Sequence, residues 1–428
     1  MCLLQKGFII SAPSSGCGKT TITLGLLRAL KQRGVPVRSA KSGPDYIDPR
    51  FHEAASGAPC VNLDAWAMSS GRIAALAAGD GTLIVEGAMG LFDGAPPDGV
   101  GATADLSRLL GLPVVLVVDA ARMAQSVAPL VAGFAGHDSA VQIAGVILNR
   151  VGSPRHERML RAALGPLGLP VLGVVPREAG LAHPSRHLGL VQAQERPDLE
   201  AFLDGAAATM AGALDLDALT ALHASRQTTA ESKSLTPPAQ RIAIAQDAAF
   251  AFAYPHILSD WQAVGAEVTP FSPLADEAAP EADLILLPGG YPELYAGRIA
   301  NNETFINSIK ITSEDTDIYG ECGGYIVMGD GLMDADGTRH AMLGLLRLET
   351  SFAQRKLHLG YRNLRAVGGP FPGAWAAHEF HYATTIKAKG LPLFEAQDAE
   401  GTRLPDMGLR EGRACGSFAH LIDQRLPD

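Results

Sequence analysis

The sequence predicts an α/β protein made of two units, and three observations support this. From Gly7 onwards, short apolar runs alternate with amphipathic stretches, which is typical of a parallel sheet covered by helices. A polar, proline-bearing segment at 226–240 interrupts this series, and a second α/β series follows it. A chain of 428 residues is also too long for one ordinary core. We therefore predict a first domain at 1–225, a linker at 226–240 and a second domain at 241–428.

Composition and charge narrow the choice of partners and compartment. A net charge of −10 disfavours nucleic acid or an anionic membrane as a partner, because binding phosphates requires a basic face. No apolar run reaches the length of a membrane span, and the first residues lead into a strand pattern rather than a signal peptide. Five cysteines without a CxxC pair favour a reducing compartment and no structural zinc. We predict a cytoplasmic protein with small-molecule substrates.

Ten apolar segments are the predicted strands of the two sheets. Those of the first domain span 8–11, 36–40, 82–87, 113–119, 143–149 and 170–175. Those of the second domain span 241–247, 266–272, 283–290 and 317–324.

The stretch "FIISAPSSGCGKTTITLGLLRAL" (8–30) predicts a phosphate-binding loop between a strand and a helix. Loop N–H groups and the helix N-terminus cradle phosphates, Lys19 reaches the outer ones, and Thr20 offers a hydroxyl to magnesium. Pro13 stands where the standard pattern has glycine, so the loop is a variant. The alternative is a chance glycine turn, which the flanking strand and helix disfavour. The predicted nucleotide-binding residues are Ser15, Gly16, Gly18, Lys19, Thr20 and Thr21.

Acidic and basic residues follow neighbouring predicted strands at the edge where open α/β sheets bind ligands. Glu86 closes the apolar run "LIVE", where a magnesium-side acid is expected. Lys41, Asp45 and Asp48 lie in "KSGPDYIDP" and are predicted to face the substrate, and Thr20, Asp48 and Glu86 are the predicted magnesium ligands. The alternative for the two aspartates is helix capping in a surface loop.

Two further polar residues close later strands on the same edge. Asn149 follows "AGVIL" and Arg177 follows "LGVVP". We predict that they contact the adenine of the nucleotide, and the alternative is that both are ordinary turn residues.

The second domain contains a nucleophile elbow. "GECGG" (320–324) has the pattern G-x-C-x-G, a strand-to-helix turn that lifts Cys322 above the sheet. Small residues two before and two after the cysteine let the backbone fold back. The alternative is a buried cysteine beside a glycine turn.

A cysteine nucleophile needs a base and an oxyanion site. His420 in "GSFAHLID" is the predicted base, and His378 and His381 in "AHEFHYA", a predicted edge strand, remain rivals. The N–H groups of Gly289 and Gly290, in the turn after a predicted strand, are the expected oxyanion donors. Together with Cys322, these residues predict a cysteine amidohydrolase that forms a thioester and releases ammonia.

Ten sequence blocks, in one order over almost the full length, carry a resemblance to a known family. They are SAPSSGCGKTT, KSGPDYIDPRFH, VEGAMGLFDG, GVILNRV, RHLGLV, IAIAQDAAFAFAYP, LLPGGYPEL, YGECGG, HEFHYA and GSFAHL. The chain resembles the cobyrinic/hydrogenobyrinic acid a,c-diamide synthases, glutamine-dependent amidases of corrin biosynthesis. The resemblance implies a dethiobiotin-synthetase-like first domain and a class I glutamine amidotransferase second domain. It also implies Cys322 as the nucleophile and His420 as its base.

The resemblance implies a mechanism that couples two sites. ATP and Mg²⁺ at the phosphate loop convert a corrin carboxylate into an acyl phosphate, and ammonia released at Cys322 displaces the phosphate. Two cycles amidate the a and c acetates. Asp45, Asp48 and Asp93 are the candidates for positioning the reacting carboxylate and the metal.

One departure from the wider class concerns the base. In class I amidotransferases a glutamate usually stands two residues after the histidine, whereas this chain has Ile422. We therefore predict a Cys–His dyad.

Two alternatives to this interpretation stay open at this stage. One is a non-catalytic partition-type ATPase that uses the variant loop to dimerise. The second keeps the chemistry and changes the acceptor, as in cobyric acid synthase or CTP synthase. For the diamide synthase itself, the sequence leaves open whether the corrin carries cobalt and whether the chain forms a homodimer.

Overall fold

The computed structural model describes residues 4–177, 185–186, 189–190, 192–230 and 234–425. Two compact units divide the chain at residue 232. Half of the RHLGLV block (residues 187, 188 and 191) and part of the predicted linker (residues 231–233) lie outside the described residues.

The first unit is built on a seven-stranded parallel sheet. Its strands are β1 (Gly7–Ser11), β2 (Val37–Ser42), β3 (Cys60–Leu63), β4 (Thr82–Glu86), β5 (Val114–Asp119), β6 (Ile143–Val151) and β7 (Val171–Pro176), in the order β3-β2-β4-β1-β5-β6-β7. A two-stranded ribbon follows, formed by β8 (Ser185–Arg186) and β9 (Gly189–Leu190). The helices are α1 (Lys19–Gln32), α2 (Asp48–Ser56), α3 (Ser70–Ala77), α4 (Thr103–Leu110), α5 (Val127–His137), α6 (Pro154–Leu164), α7 (Leu199–Ala213) and α8 (Leu216–Thr220).

The six strands predicted for this unit are confirmed, and the sequence analysis missed β3. The central strands β1 and β4 are buried at every position, as expected for apolar runs covered on both faces. β3 has only four residues, "CVNL", and includes a polar Asn62, so no apolar run marks it.

The second unit has a six-stranded main sheet. Its strands are β10 (Arg241–Ala245), β11 (Glu267–Phe271), β12 (Leu284–Leu287), β13 (Asp317–Glu321), β21 (Leu409–Glu411) and β22 (Ala414–Ser417), in the order β11-β10-β12-β13-β22-β21. All neighbours are parallel except β21 and β22. The helices of this unit are α9 (Pro255–Ala263), α10 (Ala296–Ala300), α11 (Glu303–Thr312) and α12 (Gly323–Val327). The four strands predicted here are confirmed.

Two four-stranded sheets in the second unit were not predicted. One contains β14 (Gly331–Met333), β15 (Arg339–Ala341), β16 (Arg347–Ser351) and β19 (Thr384–Lys389), in the order β15-β14-β16-β19. The other contains β17 (His358–Ala366), β18 (Ala374–His381), β20 (Phe394–Gln397) and β23 (Ala419–Arg425), in the order β20-β17-β18-β23. Most of these strands are short or charged, so they lack the apolar runs that marked the parallel strands.

The prediction of an edge strand for "AHEFHYA" is wrong. β18 pairs with β17 on one side and β23 on the other, so it is an interior strand. Its Glu379 is tolerated inside the sheet because it pairs with Arg362 on β17 and with His381.

Among the residues that the structure describes, no helix combines the length and the hydropathy needed to cross a bilayer.

Candidate functional site

The phosphate loop has the backbone geometry of an anion cradle. Gly18 precedes α1 with φ 92°, a left-handed conformation that favours glycine, and no side chain caps the helix. The first N–H groups of this 14-residue helix therefore remain available to a phosphate. Ser15 and Gly16 are exposed on the loop, and Thr21 lies in the first turn of α1.

Lys19 curls back over the loop. Its ammonium donates to the carbonyl of Met89 and, at 3.3 Å, to that of Ser14. Burial lowers the pKa of Lys19, and the Glu86 carboxylate partly offsets that effect. An anionic phosphate at the loop would supply the compensating charge.

A buried cluster of charges lies beside the loop. The Thr20 hydroxyl donates to Glu86 Oε1 at 2.6 Å, and Lys41 Nζ lies 3.0 Å from the same oxygen. Lys41 also donates to Asp48 Oδ2 at 2.5 Å and lies 3.9 Å from Asp45 Oδ2. Three carboxylates therefore surround the Lys41 ammonium.

Sheet order explains why these residues meet. β4 lies between β1 and β2, with Glu86 paired in register with Lys41 on one side and Ile10 on the other. The carboxyl ends of three adjacent parallel strands thus bring the phosphate loop, Lys41 and Glu86 to one edge.

The protonation of the cluster follows from its charges. Burial opposes the charge on Lys41, but the carboxylates of Asp48 and Glu86 outweigh it and hold the pKa of Lys41 well above its usual value. Burial likewise opposes the charge on Glu86, but Lys41 and His52 outweigh it and lower the pKa of that carboxyl. Burial and the neighbouring Asp45 carboxylate raise the pKa of Asp48 to about 7.

His52 belongs to this cluster and was missed by the sequence analysis. It is fully buried in α2, and its Nε2 lies 2.8 Å from Glu86 Oε2. Burial opposes its charge, but the Cys60 sulfur and Glu86 outweigh it and raise the pKa of His52 to about 10. The available signals were its place at the end of the block KSGPDYIDPRFH and its position four residues after Asp48, one helical turn along α2.

The remaining acidic candidates also have backbone roles. Asp45 Oδ1 accepts the N–H groups of Ile47 and Asp48, at 2.9 and 3.0 Å, at the start of α2. One oxygen of Asp45 therefore caps the start of α2, as the alternative prediction held, while the other oxygen faces Lys41. Asp93 accepts the N–H of Gly90 at 2.8 Å and shapes the turn after β4.

Asn149 and Arg177 lie differently with respect to the loop. Asn149 donates to the carbonyl of Cys17 at 2.8 Å, and a Cβ built at Gly18 would lie 2.2 Å from its Nδ2. It therefore supports the phosphate loop from β6. Arg177 is exposed after β7 and donates to the Ala121 carbonyl at 3.3 Å. An adenine contact by either residue stays a prediction.

In the second unit, Cys322 occupies a strained turn between β13 and α12. Its φ of 46° and ψ of −103° fall outside the common regions for a non-glycine residue. A Cβ built at Gly324 would lie 1.8 Å from the Leu287 carbonyl oxygen, and one at Gly320 would lie 2.8 Å from the Tyr325 nitrogen. These approaches match the small residues predicted on both sides of the nucleophile.

His420 lies beside the elbow. A Cβ built at Gly289 would lie 2.3 Å from His420 Cε1, 3.1 Å from its Nε2 and 3.3 Å from Cys322 Cβ. The imidazole and the cysteine therefore both border the space above Gly289. Both side chains are buried, with 1 % and 4 % of the residue exposed.

Two backbone N–H groups lie close together near the thiol. A Cβ built at Gly323 would lie 3.0 Å from the Gly290 nitrogen, and the Gly323 N–H stabilises a thiolate at Cys322. Gly290 and Gly323, the residue after the nucleophile, thus offer two N–H donors beside Cys322, and the use of the Gly289 N–H stays a prediction. The Gly289 carbonyl accepts the N–H of Phe252 at 2.9 Å, which fixes this turn.

The electrostatic environment disfavours a resting thiolate. Burial and the nearby Glu293 carboxylate raise the pKa of Cys322, with smaller contributions from Glu321 and Glu379. A buried neutral thiol beside an imidazole can still react, because the base removes the proton as the sulfur attacks.

The raised pKa gives a pH prediction. Alkylation of Cys322 by iodoacetamide in the ligand-free protein should be slow at pH 7 and rise roughly tenfold per pH unit above it, because the thiolate is the reacting species. Peptide mapping by mass spectrometry measures the rate at this cysteine. Fast alkylation that does not change between pH 6 and 9 would contradict the prediction and indicate a stable thiolate–imidazolium pair.

His378 and His381, the rival candidates for the base, have surroundings that differ from those of His420. His381 Nε2 lies 3.0 Å from Glu379 Oε1, whose other oxygen accepts from Arg362 at 2.7 Å. Burial and the neighbouring His420 lower the pKa of His378 to about 3. The carbonyl of Phe380 lies 3.9 Å from the Cys322 sulfur. This segment therefore borders the thiol through its backbone.

Comparisons with known proteins match both units. Residues 8–191 match the family described as CobQ/CobB/MinD/ParA nucleotide binding domain, and residues 241–425 match the CobB/CobQ-like glutamine amidotransferase domain. The chain is 55 % identical to the hydrogenobyrinate a,c-diamide synthase of Brucella suis biovar 1 (strain 1330), covering 98 % of this chain and 99 % of the relative. It is 50 % identical to that of Rhodobacter capsulatus, covering 97 % and 98 %. A solved glutamine amidotransferase covers 42 % of this chain and 89 % of its own, with 12 % identity and a TM-score of 0.29.

A nucleotide-binding domain and a glutamine amidotransferase domain in one chain define a glutamine-dependent amidating ligase. Within that class, the chain belongs to the hydrogenobyrinate a,c-diamide synthase family, which it matches over nearly its full length. The resemblance inferred from the ten sequence blocks is therefore confirmed. The partition-type ATPase alternative is not supported, because the second domain is a complete amidotransferase.

Proposed function

We propose that the protein amidates the a and c carboxylates of hydrogenobyrinic acid, using ATP for activation and glutamine as the nitrogen donor. One observation carries the proposal, which is that a chain of this family contains both required sites. Its second unit has a nucleophile elbow beside a histidine, and its first unit has a phosphate loop beside a buried acidic cluster. The cobalt-free acceptor is favoured because the relatives that match over the full length are named for hydrogenobyrinate. ATP and a reduced thiol are both available in the cytoplasm, where we place the reaction.

The first unit performs the activation. A corrin carboxylate oxygen attacks the γ-phosphorus of ATP, the bond from the phosphorus to the bridging oxygen breaks, and an acyl phosphate and ADP result. Lys19 and the N-terminus of α1 hold the phosphates. Lys41, Asp45, Asp48 and Asp93 are the residues that we propose to position the corrin carboxylate. Lys41 is suited to this because it is a buried cation close to the loop.

The oxygen-rich cluster fits a magnesium ion. Thr20, Asp48 and Glu86 offer a hydroxyl and two carboxylates, which are hard donors of the kind that Mg²⁺ prefers. Asp48, with its pKa near 7, becomes a full carboxylate when a cation replaces its proton. When bound, the ion supplies charge neutralisation at the transferring phosphoryl group.

The second unit supplies ammonia. The Cys322 sulfur attacks the glutamine carboxamide, the C–N bond breaks, and the thiol proton passes through His420 to the leaving nitrogen. Water then hydrolyses the thioester to glutamate. Ammonia displaces phosphate from the acyl phosphate, and one amide forms per ATP consumed.

Competition between acceptors tests the substrate. The protein is incubated with ATP, glutamine and an equal mixture of hydrogenobyrinic acid and cobyrinic acid, and the products are separated by mass. We expect the diamide of the cobalt-free acid to dominate the early products. Preferential use of cobyrinic acid would contradict the acceptor, and amidation of the a,c-diamide at further positions would favour a cobyric acid synthase-like enzyme.

Alanine substitution of each histidine tests the base. His420→Ala should lower glutaminase turnover about 10³-fold, because the thiol loses its proton acceptor. Ammonia-supported amidation should survive. His378→Ala and His381→Ala should leave alkylation of Cys322 near normal. The reverse pattern, with glutaminase turnover kept in His420→Ala and lost in one of the other variants, would move the base to "HEFHY".

A further inference from the structure

We propose that Glu321, the residue immediately before the nucleophile, is a positioning residue for His420. It supplies the carboxylate that the class normally carries two residues after the histidine, so the site is a Cys–His–Glu arrangement with its acid on the elbow. The proposal rests on the proposed glutaminase function and replaces the dyad predicted from Ile422.

Both oxygens of the Glu321 carboxylate face the segment that carries the histidine. Oε2 lies 3.6 Å from His420 Nδ1, within ion-pair range, and Oε1 accepts the N–H of Leu421 at 3.2 Å. The Glu321 side chain is 13 % exposed, so solvent screens this interaction little. The carboxylate is therefore anchored to the backbone of β23 and directed at the imidazole.

The imidazole of His420 is oriented as this role requires, with one ring nitrogen towards each partner. Its Cε1 and Nε2 border the space above Gly289, which Cys322 also borders, while its Nδ1 faces Glu321. A carboxylate at Nδ1 favours the tautomer with the proton on Nδ1, and this leaves the Nε2 lone pair free to accept the thiol proton.

The strand order accounts for this arrangement. β13 and β22 are parallel neighbours, with Glu321 in register with Ser417, and the Cys322 N–H donates to the Ser417 carbonyl at 2.8 Å. The chain turns at the end of β22 and enters β23, which brings His420 beside the end of β13. Ile422, where the class has its glutamate, is fully buried, and its carbonyl accepts from His256 at 2.8 Å.

The carboxylate acts when the proton moves. As the sulfur bonds to the carboxamide carbon, the thiol proton transfers to Nε2, and the resulting imidazolium is stabilised by the negative charge of Glu321. The proton then passes to the leaving nitrogen, and the imidazole returns to neutrality. Among the described residues, Cys322 and, across the strands, His378 are titratable groups beside His420, and the low pKa of His378 keeps it neutral. Tyr319 lies beside the Glu321 carboxylate, and burial raises its pKa well above the usual value, so it stays neutral.

Glu321→Gln tests the proposal with little change in shape, because the amide oxygen can still accept the Leu421 N–H. We expect the glutaminase kcat to fall about 10²-fold, with KM for glutamine unchanged. This loss is smaller than the ~10⁴-fold loss of kcat when the buried aspartate of a serine protease is replaced by asparagine. The reason is that the 3.6 Å between Glu321 Oε2 and His420 Nδ1 is longer than a direct hydrogen bond. The acidic limb of kcat/KM should move to lower pH, since the imidazolium loses its stabilising charge. Ammonia-dependent amidation should stay at the wild-type rate.

Two further variants separate positioning from folding. Glu349→Gln removes a carboxylate from an exposed ion pair with Arg339 in the same unit and should leave all activities unchanged. Glu321→Asp keeps the charge and should show a smaller loss of kcat with the acidic limb near that of the wild type.

Three outcomes would overturn the proposal. They are a kcat within twofold of the wild type in Glu321→Gln, a loss of kcat without a shift of the acidic limb, and equal losses in the Asp and Gln variants. An inactive wild-type glutaminase would instead contradict the proposed function itself.

Discussion

Cys322→Ser should abolish glutamine-dependent amidation, with a loss of about 10⁴-fold or more, while activity with a high concentration of free ammonia is retained. Only the nitrogen source is lost, because the acyl phosphate forms in the other unit. Serine fits the turn because the substitution exchanges only the side-chain sulfur for oxygen and leaves the strained backbone of residue 322 unchanged. Its hydroxyl is a far weaker nucleophile beside the same imidazole.

The Cys322→Ser experiment needs a control in which another buried cysteine of the same unit is replaced. Cys415→Ser changes another buried thiol, one strand away in β22, whose pKa burial raises to about 12. This variant should keep both glutamine- and ammonia-dependent activities. If ammonia fails to rescue a folded Cys322→Ser protein, amidation does not use two separable sites.

Lys19→Ala should eliminate amidation with either nitrogen source, with a loss of about 10³-fold or more. Lys19 is the cation at the phosphate loop, so its loss leaves the phosphates and the transferring group without that charge. Glu86→Gln should have a similar effect, because Glu86 joins Thr20 and Lys41 at the centre of the cluster. Both variants are assayed for ADP formation with glutamine and with ammonia.

Controls distinguish this loss from unfolding. Lys31→Ala removes an exposed lysine from the last turn of the same helix and should retain full activity. The thermal unfolding of the Lys19→Ala protein, compared with that of the wild type, reports whether the first unit is folded, and glutamate release reports the same for the second unit. Ammonia-dependent synthesis at the wild-type rate in that variant would contradict the phosphate-loop assignment.

The residues that could be predicted from the sequence lie in motifs of consecutive residues. Lys19 and Thr20 follow a strand and open a helix, and Cys322 lies between glycines whose close approaches are local to the turn. In each case the neighbouring residues set the backbone geometry. Ten of the parallel strands could likewise be predicted, and most of them are buried apolar runs, as β1 and β4 are at every position.

The residues that escaped prediction act through pairing between distant elements. His52 lies under Glu86 because α2 packs beside the sheet, and Glu321 reaches His420 because β13 neighbours β22. In the sequence, Glu321 is the unspecified position of a G-x-C-x-G pattern. Likewise β18 was predicted to be an edge strand, but it lies inside a sheet. Its Glu379 accepts a hydrogen bond from Arg362 on the adjacent strand β17, a pairing that the sequence alone does not reveal.

The most direct test of the two-site account follows isotopes through one reaction. Hydrogenobyrinic acid labelled with ¹⁸O in its carboxylates is incubated with ATP and glutamine labelled with ¹⁵N in its amide, and the corrin and the phosphate are analysed by mass spectrometry. The account predicts a diamide with ¹⁵N at both new amides and one ¹⁸O transferred to inorganic phosphate for each amide formed. Phosphate free of ¹⁸O alongside a ¹⁵N-labelled diamide would contradict the acyl phosphate, and a diamide without ¹⁵N would contradict the supply of ammonia from glutamine.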